Sequence, residues 1–538
     1  MTAKNICHLI QPFGDRYNDY LTDESRIRGT AQSISFPENE TQVQSVVKKM
    51  LVHKTPITVQ GSRTGMTGGA VPCGGHILNL LKMNRVTGLA LDQEGQFSVR
   101  VQPGLSLSQL NQMLDSGHFD CDGWDNRALA AQNAFKKAKR LFWPPDPTER
   151  SASIGGIAAN NAQGICALYY GRANRHINGL RMVDARAEIQ SIPRGRYIFS
   201  HGICPLPDGS QIRLDQTSCQ TGLPDNWGDQ YDLLDLYLGS QGMFGVMTEL
   251  SLSLQPFPRE MWGIVFFFGE EAFAIEFIQG INALTNRQVH TDQGQKTGSG
   301  TDIVAIEVMD QTTLGCIRDY KQVNSRLKGL PDWDNCLTTA VYMEIHGSSA
   351  TAVESISESL LETAVRCGGD PDNTWAFCGE REIERLRRFR HAAAESVGLI
   401  IDRARQNDSR ITRLGTDMYF QDGALSERLD LYRRDMDAHG LKAAVFGHAG
   451  NGHLHVNILP QTYQQFKRGK TLINEWTKRD YATNQGLVVT DHGQGKNKNS
   501  LSGAIELSRQ MNIFCSVKKQ LDPDGLWNPG NMQDSCEQ

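Results

Sequence analysis

The sequence predicts an α+β protein made of two or three structural units. Its 538 residues exceed the length at which a single hydrophobic core stops growing. Along the chain, apolar residues recur alternately with the spacing of strands and of helices. Pro256 and Pro258 mark a boundary between units. We therefore expect one unit at 1–258, a second at 259–465 and a mostly helical C-terminal segment at 466–538.

The individual elements follow from local patterns. Residues 33–60 have the pattern of strand, helix and strand, and they lead into a glycine-rich loop. Residues 116–140 are interpreted as a solvated insertion that contains a short basic helix. A strand is expected at 246–254. Beyond Pro258 we expect strands at 262–268, 303–309 and 340–345 and helices at 271–284 and 353–367.

Composition excludes several classes of protein. The formal net charge of -5 and the absence of any dense Lys/Arg run argue against a nucleic-acid partner. The N-terminus lacks the apolar core of a signal peptide and no stretch of 18 apolar residues occurs, so we expect a cytoplasmic protein, at most peripheral to a membrane through a partner. The 12 cysteines contain no C-x-x-C pair, which argues against an iron-sulfur cluster in this chain.

Two histidine-rich segments near the C-terminus are candidates for chemistry. His448 and His455 lie in apolar, strand-like runs joined by Asn451-Gly452, a favoured hairpin turn. With Asp491 they would form a three-ligand divalent-metal site with an open position, which leaves the adjacent His492 for proton transfer. By spacing alone, ordinary strand histidines with one hydrogen bond each are an equally good explanation.

A glycine-rich loop follows the strand at 57–59. Its glycines, between Gly61 and Pro72, permit backbone N–H groups to turn toward an anion such as a diphosphate. The loop does not match G-x-G-x-x-G, and the G-K-T at Gly469 lacks the first glycine of a Walker A loop. Nucleoside-triphosphate chemistry is therefore disfavoured.

The order of several such motifs is more informative than any one of them. It closely resembles that of the FAD-linked oxidases of the vanillyl-alcohol oxidase superfamily, and the C-terminal motifs resemble its D-lactate, glycolate and D-2-hydroxyglutarate dehydrogenase branch. The resemblance extends from about Arg26 to Met532. The motifs that carry it are Gly61 to Pro72, Pro144 to Pro147, Ile154 to Gly164, Tyr170-Gly171, Gly239 to Gly242, Gly447 to His455, Asp491 to Gly495 and Leu521 to Gly530.

The resemblance implies a PCMH-type FAD-binding domain, an α+β cap domain with an antiparallel sheet, and a C-terminal segment that returns to the FAD domain. FAD would be non-covalent, because the phosphate loop contains no histidine. By the same resemblance, FAD would be bound by Gly61, Ser62, Arg63, Thr64, Gly65, Met66, Thr67, Gly68 and Gly69 at the diphosphate, by Pro145, Asp146, Ser153, Gly155, Gly156, Asn160, Ala162 and Gly164 along the flavin and ribityl chain, and by Asn528.

The implied activity is oxidation of a D-2-hydroxy acid to the 2-oxo acid by hydride transfer to flavin N5. His492 corresponds to the family's base. Arg390 aligns with its carboxylate-binding arginine, but five arginines lie between Arg381 and Arg390, and a charged helix face explains them equally well. Zinc or another first-row metal on His448, His455 and Asp491 would bind the substrate oxygens.

The chain also departs from the family pattern. Ser62 and Arg63 replace glycines, His453 replaces an asparagine and Asp491 a glutamate. His453 shares a strand face with His455, where it would be a further ligand or a polar group of the pocket.

The electron acceptor is expected to be external: an electron-transfer flavoprotein, a quinone or an iron-sulfur subunit. A homodimer is suggested by analogy only. Two other functions stay open, namely a flavin subunit of an electron-transfer complex without its own substrate, and a non-redox flavoenzyme of the alkylglycerone-phosphate synthase type. The particular acid, whether lactate, glycolate or 2-hydroxyglutarate, depends on pocket side chains that sequence does not identify.

Overall fold

The structure is a computed structural model in which the chain forms two compact units. The first unit comprises the described parts of 1–164, 172–257 and 491–538, and the second comprises those of 165–171 and 258–490. The segment that we expected at 466–538 is thus divided between the two units. The residues that the structure describes are 8–214, 231–289, 301–420, 425–482, 486–488, 493–496 and 509–531.

Both units contain β-sheets built from the following strands. In chain order they are β1 (Gln11–Pro12), β2 (Ser33–Ser35), β3 (Ile57–Gln60), β4 (His76–Asn79), β5 (Val86–Leu91), β6 (Phe97–Val101), β7 (Leu141–Phe142), β8 (Ile177–Asp184), β9 (Ile189–Pro193), β10 (Ile203–Pro205), β11 (Gln211–Arg213), β12 (Gly245–Ser253), β13 (Gln255–Pro256), β14 (Glu260–Phe268), β15 (Thr301–Met309), β16 (Thr339–Gly347), β17 (Trp375–Cys378), β18 (Leu414–Gly415), β19 (Met418–Phe420), β20 (Ala443–His448), β21 (His453–Ile458) and β22 (Gly486–Val488).

Helices connect and cover these strands. Within the described ranges, no helix is both long enough and apolar enough to cross a membrane. The α-helices are α1 (Glu40–Val52), α2 (Leu107–Ser116), α3 (Asn126–Phe135), α4 (Ile154–Asn160), α5 (Ala167–Tyr170), α6 (Leu233–Tyr237), α7 (Glu271–Val289), α8 (Gln311–Val323), α9 (Ala350–Arg366), α10 (Glu380–Asn407), α11 (Leu425–Ala438), α12 (Tyr463–Ala482) and α13 (Arg509–Leu521).

The strand, helix and strand predicted at 33–60 are confirmed as β2, α1 and β3. Asn39 caps α1 by accepting a hydrogen bond from the backbone N–H of Gln42. The helix buries Val43, Val46 and Val47, which are spaced to share one face. Strands β2 and β3 lie parallel on either side of β4. The glycine-rich loop begins directly after β3, so this sheet fixes the position of the first residue of the loop.

The interpretation of 116–140 as a solvated insertion is wrong. Its helix, α3, begins where Asp125 accepts a hydrogen bond from the N–H of Ala128. Trp124 and Phe135 are buried in the core of the five-stranded sheet β5-β6-β12-β8-β9. The apolar residues of α3 form an inward face, and that burial outweighs the polar character of the flanking lysines and aspartates.

The second unit is built on one antiparallel sheet of nine strands, as the predicted cap domain requires. Its order is β17-β14-β16-β15-β20-β21-β19-β22, with β18 also paired to β21. Every residue of β16 is buried. Helix α10 packs on this sheet and buries Phe389 and Arg390 together. In this sheet, strands from four separate parts of the chain lie side by side, so residues that are distant in the sequence become neighbours.

Candidate active site

The glycine-rich loop 61–69 follows β3 directly and is closely packed. A Cβ at Gly61 would lie 2.1 Å from the Oγ of Ser153, so a larger residue would displace the hydroxyl that caps α4. The side-chain amide of Asn79 donates to the Gly61 carbonyl. Two stretches assigned to the cofactor by sequence, the loop and the start of α4, therefore lie next to each other.

Arg63 has an unusual environment within this loop. Its Nη1 is buried and has no hydrogen-bond partner among the residues that the structure describes. Its Cζ lies 4.3 Å from the ring centroid of Tyr20, which holds the guanidinium in place. A buried donor without an acceptor is costly, and a phosphate oxygen is a suitable partner for a guanidinium. The loop thus fits an anionic group of the kind found in the FAD diphosphate.

The C-terminal segment is hydrogen-bonded to β3 and to the loop. Asn528 accepts a 2.7 Å hydrogen bond from the N–H of Val59 and donates its own N–H to Ile57. Asn531 donates to the Gly69 carbonyl at 2.9 Å. Asn528 was assigned to the cofactor by sequence, and the structure places it beside the strand that carries the loop.

Gln241, which lies within the motif Gly239 to Gly242, joins three parts of the predicted cofactor site, although the sequence analysis did not assign it to the cofactor. Its N–H donates to Ala159 in α4, and its Oε1 accepts from Gly495 at 2.8 Å. A Cβ at Gly493 would lie 2.4 Å from the Oδ1 of Asn160 and 2.5 Å from the Nε2 of Gln241. Gln241 has a backbone φ of 51°, in the left-handed region that residues other than glycine rarely adopt. Only the structure reveals this conformation.

The remaining predicted cofactor residues border the same segments. Ser153 caps α4, and Gly155, Gly156 and Asn160 lie in that helix. Gly164 lies against the backbone of Asp146. The predicted cofactor cradle is therefore one region of the first unit, built from 61–69, 145–164, 241, 493–496 and 528–531.

In the second unit, the predicted histidine hairpin is confirmed as β20 and β21. His448 pairs directly with His453, and Phe446 pairs with His455, so these side chains share one face of the sheet. Ring centroids are 6.1 Å apart for His448 and His455, 6.0 Å for His448 and His453, and 4.7 Å for His453 and His455. All three rings are buried.

Each of the three imidazoles has an oxygen partner on one ring nitrogen. Glu307 bonds Nδ1 of His448 through Oε1, and Asp417 bonds Nε2 of His453 at 2.7 Å. Nδ1 of His455 lies 3.4 Å from the carbonyl of Thr416. Since a carbonyl only accepts, that nitrogen carries the proton and the lone pair of His455 lies on Nε2. Such outer partners are typical of histidines that ligate a metal, so this set fits the predicted divalent ion.

Arg390 is buried and pairs with a protein carboxylate. Its Nε donates to Oε2 of Glu307, the same carboxylate that holds His448. Burial alone would raise the pKa of Glu307, but Arg390 and His448 outweigh burial and hold the pKa below its usual range. Of the other predicted residues, Asp491 and His492 lie outside the described residues.

A second buried carboxylate lies on the same sheet face and was missed by the sequence analysis. Glu344 is bonded by the guanidinium of Arg387, by Tyr342 at 2.8 Å and by Nε2 of His346 at 2.8 Å. The OH of Tyr170 bonds the other ring nitrogen of His346 at 2.9 Å. Cys166 lies near enough that it could join Glu344 and His346 around a cation. Arg387 already neutralises Glu344, however, so this group needs no metal.

One signal in the sequence could have found both glutamates. Glu307 and Glu344 each interrupt a run of apolar residues in a strand, and both are fully buried. A carboxylate at such a position is rarely buried without a partner or a function.

The fold and the cradle define the class of protein, a FAD-linked oxidoreductase. A family model described as "FAD linked oxidases, C-terminal domain" matches residues 295–532, and one described as "FAD binding domain" matches residues 31–121. The chain thus has both the FAD-binding domain and the C-terminal domain of the FAD-linked oxidases, and it is similar to proteins named D-lactate dehydrogenase and D-2-hydroxyglutarate dehydrogenase.

Individual relatives agree with this assignment. A D-lactate dehydrogenase of Anaerostipes hadrus is 26% identical, with 96% of this chain and 94% of the relative covered. A mitochondrial D-2-hydroxyglutarate dehydrogenase of Rattus norvegicus is 24% identical, with 94% and 78% covered. The crystal structure of p-cresol methylhydroxylase with substrate bound has a TM-score of 0.65 at 16% identity and covers 98% of this chain and 94% of its own, which shows the shared fold.

Proposed function

We propose that this protein oxidises a D-2-hydroxy acid to the corresponding 2-oxo acid, with non-covalently bound FAD supplying the hydride acceptor. The observation that carries the proposal is a group of buried polar side chains on the sheet of the second unit. There, His448, His453 and His455 lie together with Glu307 and Arg390 in a chain that has both domains of the FAD-linked oxidases. A subunit that only relays electrons has no need of buried imidazoles and a guanidinium in its cap domain.

His448, His455 and Asp491 would hold a divalent metal, zinc or another first-row ion, which when bound supplies a Lewis acid for the substrate's hydroxyl and carboxylate oxygens. Glu307 supports this role because its carboxylate keeps the proton of His448 on Nδ1, so the lone pair lies on Nε2. Thr416 does the same for His455.

Arg390 would bind the substrate carboxylate. Its bond to Glu307 uses Nε, so the two Nη groups form the fork that a second carboxylate would meet. Glu307 thereby orients both a metal ligand and the carboxylate-binding arginine. Loss of that orientation is expected to affect substrate affinity and metal affinity together.

His492 would accept the hydroxyl proton as C2 is oxidised. It precedes Gly493, which packs against Asn160 and Gln241 in the first unit. The packing of Gly493 is the support that the described residues give to this assignment.

The substrate class is a small D-2-hydroxy acid such as lactate, glycolate or 2-hydroxyglutarate. Electrons would pass to an external acceptor, an electron-transfer flavoprotein, a quinone or an iron-sulfur subunit, because the sequence contains neither a C-x-x-C pair nor a dinucleotide fingerprint.

An anaerobic titration tests the proposal. Purified holoenzyme is mixed with D- and L-enantiomers of lactate and 2-hydroxyglutarate, and with glycolate, while flavin absorbance is followed. We expect bleaching by one or more acids, with the D-enantiomer preferred, and its loss after treatment with a chelator. A flavin spectrum that none of these acids bleaches, in protein that contains its metal, would contradict the proposed function.

A further inference from the structure

We infer that Lys496 is a positioning residue of the cofactor site. Together with Asn531 it fixes the carbonyls at the end of the glycine-rich loop, so that the backbone N–H groups of Gly68 and Gly69 face the FAD diphosphate. The sequence analysis assigned the loop to FAD but neither Lys496 nor Asn531. All of these residues belong to the first unit. The inference rests on the FAD part of the proposed function and is independent of which acid is the substrate.

Three successive carbonyls of the loop accept hydrogen bonds from the C-terminal part of the chain. The backbone N–H of Lys496 donates to the Thr67 carbonyl at 2.8 Å, and its Nζ donates to the Gly68 carbonyl at 3.3 Å. The side-chain amide of Asn531 donates to the Gly69 carbonyl at 2.9 Å. Nζ of Lys496 also donates to Oδ1 of Asn531 at 2.7 Å, so the two donors of side-chain hydrogen bonds hold each other in place.

The orientation of these carbonyls determines the direction of the neighbouring N–H groups. In a planar trans peptide, the C=O of one residue and the N–H of the next point in opposite directions. Because the carbonyls of Thr67 and Gly68 are turned toward Lys496, the N–H groups of Gly68 and Gly69 are turned to the other side. Neither N–H group has a hydrogen-bond acceptor among the residues that the structure describes. Two adjacent backbone N–H groups of this kind are suited to bind an anion such as a diphosphate.

Gly495 allows Lys496 to approach the loop closely. A Cβ at Gly495 would lie 2.2 Å from the carbonyl oxygen of Thr67, and its φ of 52° lies in the left-handed region that favours glycine. Its N–H donates to Oε1 of Gln241 at 2.8 Å. The backbone N–H of Lys496, the next residue, is thereby held within reach of the Thr67 carbonyl.

The charge of Lys496 favours an anionic ligand at this loop. Its side chain is partly buried, and burial lowers the pKa of its ammonium group from 10.5 to about 8. The acceptors that it meets in the described part of the chain are the neutral oxygens of Gly68 and Asn531, while the carboxylate of Asp23 acts on it only through its charge. A bound diphosphate would supply negative charge that offsets the cost of burying the ammonium group.

The test measures cofactor affinity rather than turnover. Full-length apoprotein is titrated with FAD and, separately, with riboflavin, which has no phosphate, while flavin fluorescence is followed. We expect Lys496→Met to raise the Kd for FAD at least about 10-fold, because hydrogen bonds to a charged group are lost, and to leave the Kd for riboflavin unchanged. The matched control is Lys54→Met. Lys54 also joins the N-terminal part of the chain to the C-terminal part, through an exposed 3.0 Å ion pair with Asp524, and its replacement should change neither Kd.

Two results with a folded Lys496→Met would overturn the inference. One is an unchanged Kd for FAD, and the other is an equal rise in the Kd for FAD and for riboflavin, which would indicate a purely structural role. If the variant does not fold, deuterium exchange in the wild type decides. The backbone amides of Gly68 and Gly69 should exchange more slowly when FAD is bound but not when riboflavin is bound, and unchanged exchange with FAD would overturn the inference.

The outcomes also separate this inference from the proposed function. If no hydroxy acid bleaches the flavin but Lys496→Met loses FAD affinity as expected, the proposed oxidation fails and the inference stands. If Lys496→Met binds FAD as the wild type does, the inference fails and the proposed oxidation stands. A wild-type apoprotein that binds no FAD would overturn both.

Discussion

Glu307 bonds Nδ1 of His448 through one carboxylate oxygen and Nε of Arg390 through the other. A single buried carboxylate thus fixes a predicted metal ligand and the predicted substrate-binding arginine in relation to each other. The three residues come from β15, β20 and α10, which lie far apart in the sequence.

Replacement of Glu307 tests this link. In Glu307→Gln, the orienting charge on His448 is lost and Arg390 is left without its counter-charge in a buried site. We expect metal affinity to fall by about 10- to 100-fold and the free energy of unfolding to fall by about 3–5 kcal/mol. Chelator competition and denaturant unfolding measure the two effects. The matched control Glu358→Gln, on the exposed side of α9, should change neither. Metal affinity equal to that of the wild type in Glu307→Gln would show that this carboxylate does not support a ligand.

Arg63 offers a test of the phosphate loop. Its buried Nη1 is expected to bond a diphosphate oxygen, so Arg63→Gln should lose a charge-assisted hydrogen bond of about 1.5–3 kcal/mol. The Kd for FAD, measured by fluorescence titration of the apoprotein, should rise about 10- to 100-fold. Arg196→Gln is the matched control, because Arg196 also lies over a tyrosine ring, that of Tyr197, but at the exposed surface. Equal FAD affinity in both variants would remove Arg63 from the cofactor site.

Gly493 tests how the segment after His492 is positioned. A methyl group at this position would meet Asn160 and Gln241 at about 2.4–2.5 Å, and its φ of 74° disfavours any side chain. We expect Gly493→Ala to retain FAD but to reduce flavin at least about 10-fold more slowly, because a small displacement of a catalytic group is costly.

The control for Gly493→Ala is Gly123→Ala. Gly123 has a similar φ of 77° but nothing within 4 Å of an added Cβ. It therefore reproduces the backbone strain without the collision. Rapid-mixing measurements of flavin reduction should separate the two, and equal rates would mean that the packing of Gly493 has no part in the reaction.

His76 gives a pH dependence with a definite sign. It is fully buried between Ser33 and Ser35, and burial lowers its pKa from 6.5 to about 4. Below pH 6.5 the unfolded chain binds a proton that the folded protein excludes, so stability is lost as pH falls from 6.5 to about 4. The loss amounts to about 3 kcal/mol at 1.36 kcal/mol per pKa unit.

In His76→Gln this part of the acid sensitivity should disappear. The measurement is the free energy of unfolding of the first unit in denaturant at pH 4 to 7, taken as the difference between variant and wild type. His53→Gln, at an exposed position at the end of α1, should leave the pH dependence of the wild type in place. A His76→Gln profile parallel to that of the wild type would count against the lowered pKa.

Local patterns in the sequence were sufficient for much of the fold. The order of strand, helix and strand at 33–60 and the histidine hairpin were predicted because apolar periodicity and turn residues are local properties. Helix α3 was misjudged because its charged neighbours concealed an apolar face that contacts the core. The histidine pattern indicated a metal site but could not separate it from ordinary strand histidines.

By itself, then, the sequence determined the fold class, the glycine-rich loop, the histidine hairpin and the resemblance to the FAD-linked oxidases. Only the tertiary structure decided that Glu307, Asp417 and Thr416 are the partners of the three histidines, and that Gln241 joins α4 to Gly495. The physical reason is that these contacts cross strands far apart in the sequence. Which side chains face each other across a sheet depends on strand order and register, and these are set by packing of the whole unit rather than by any local pattern.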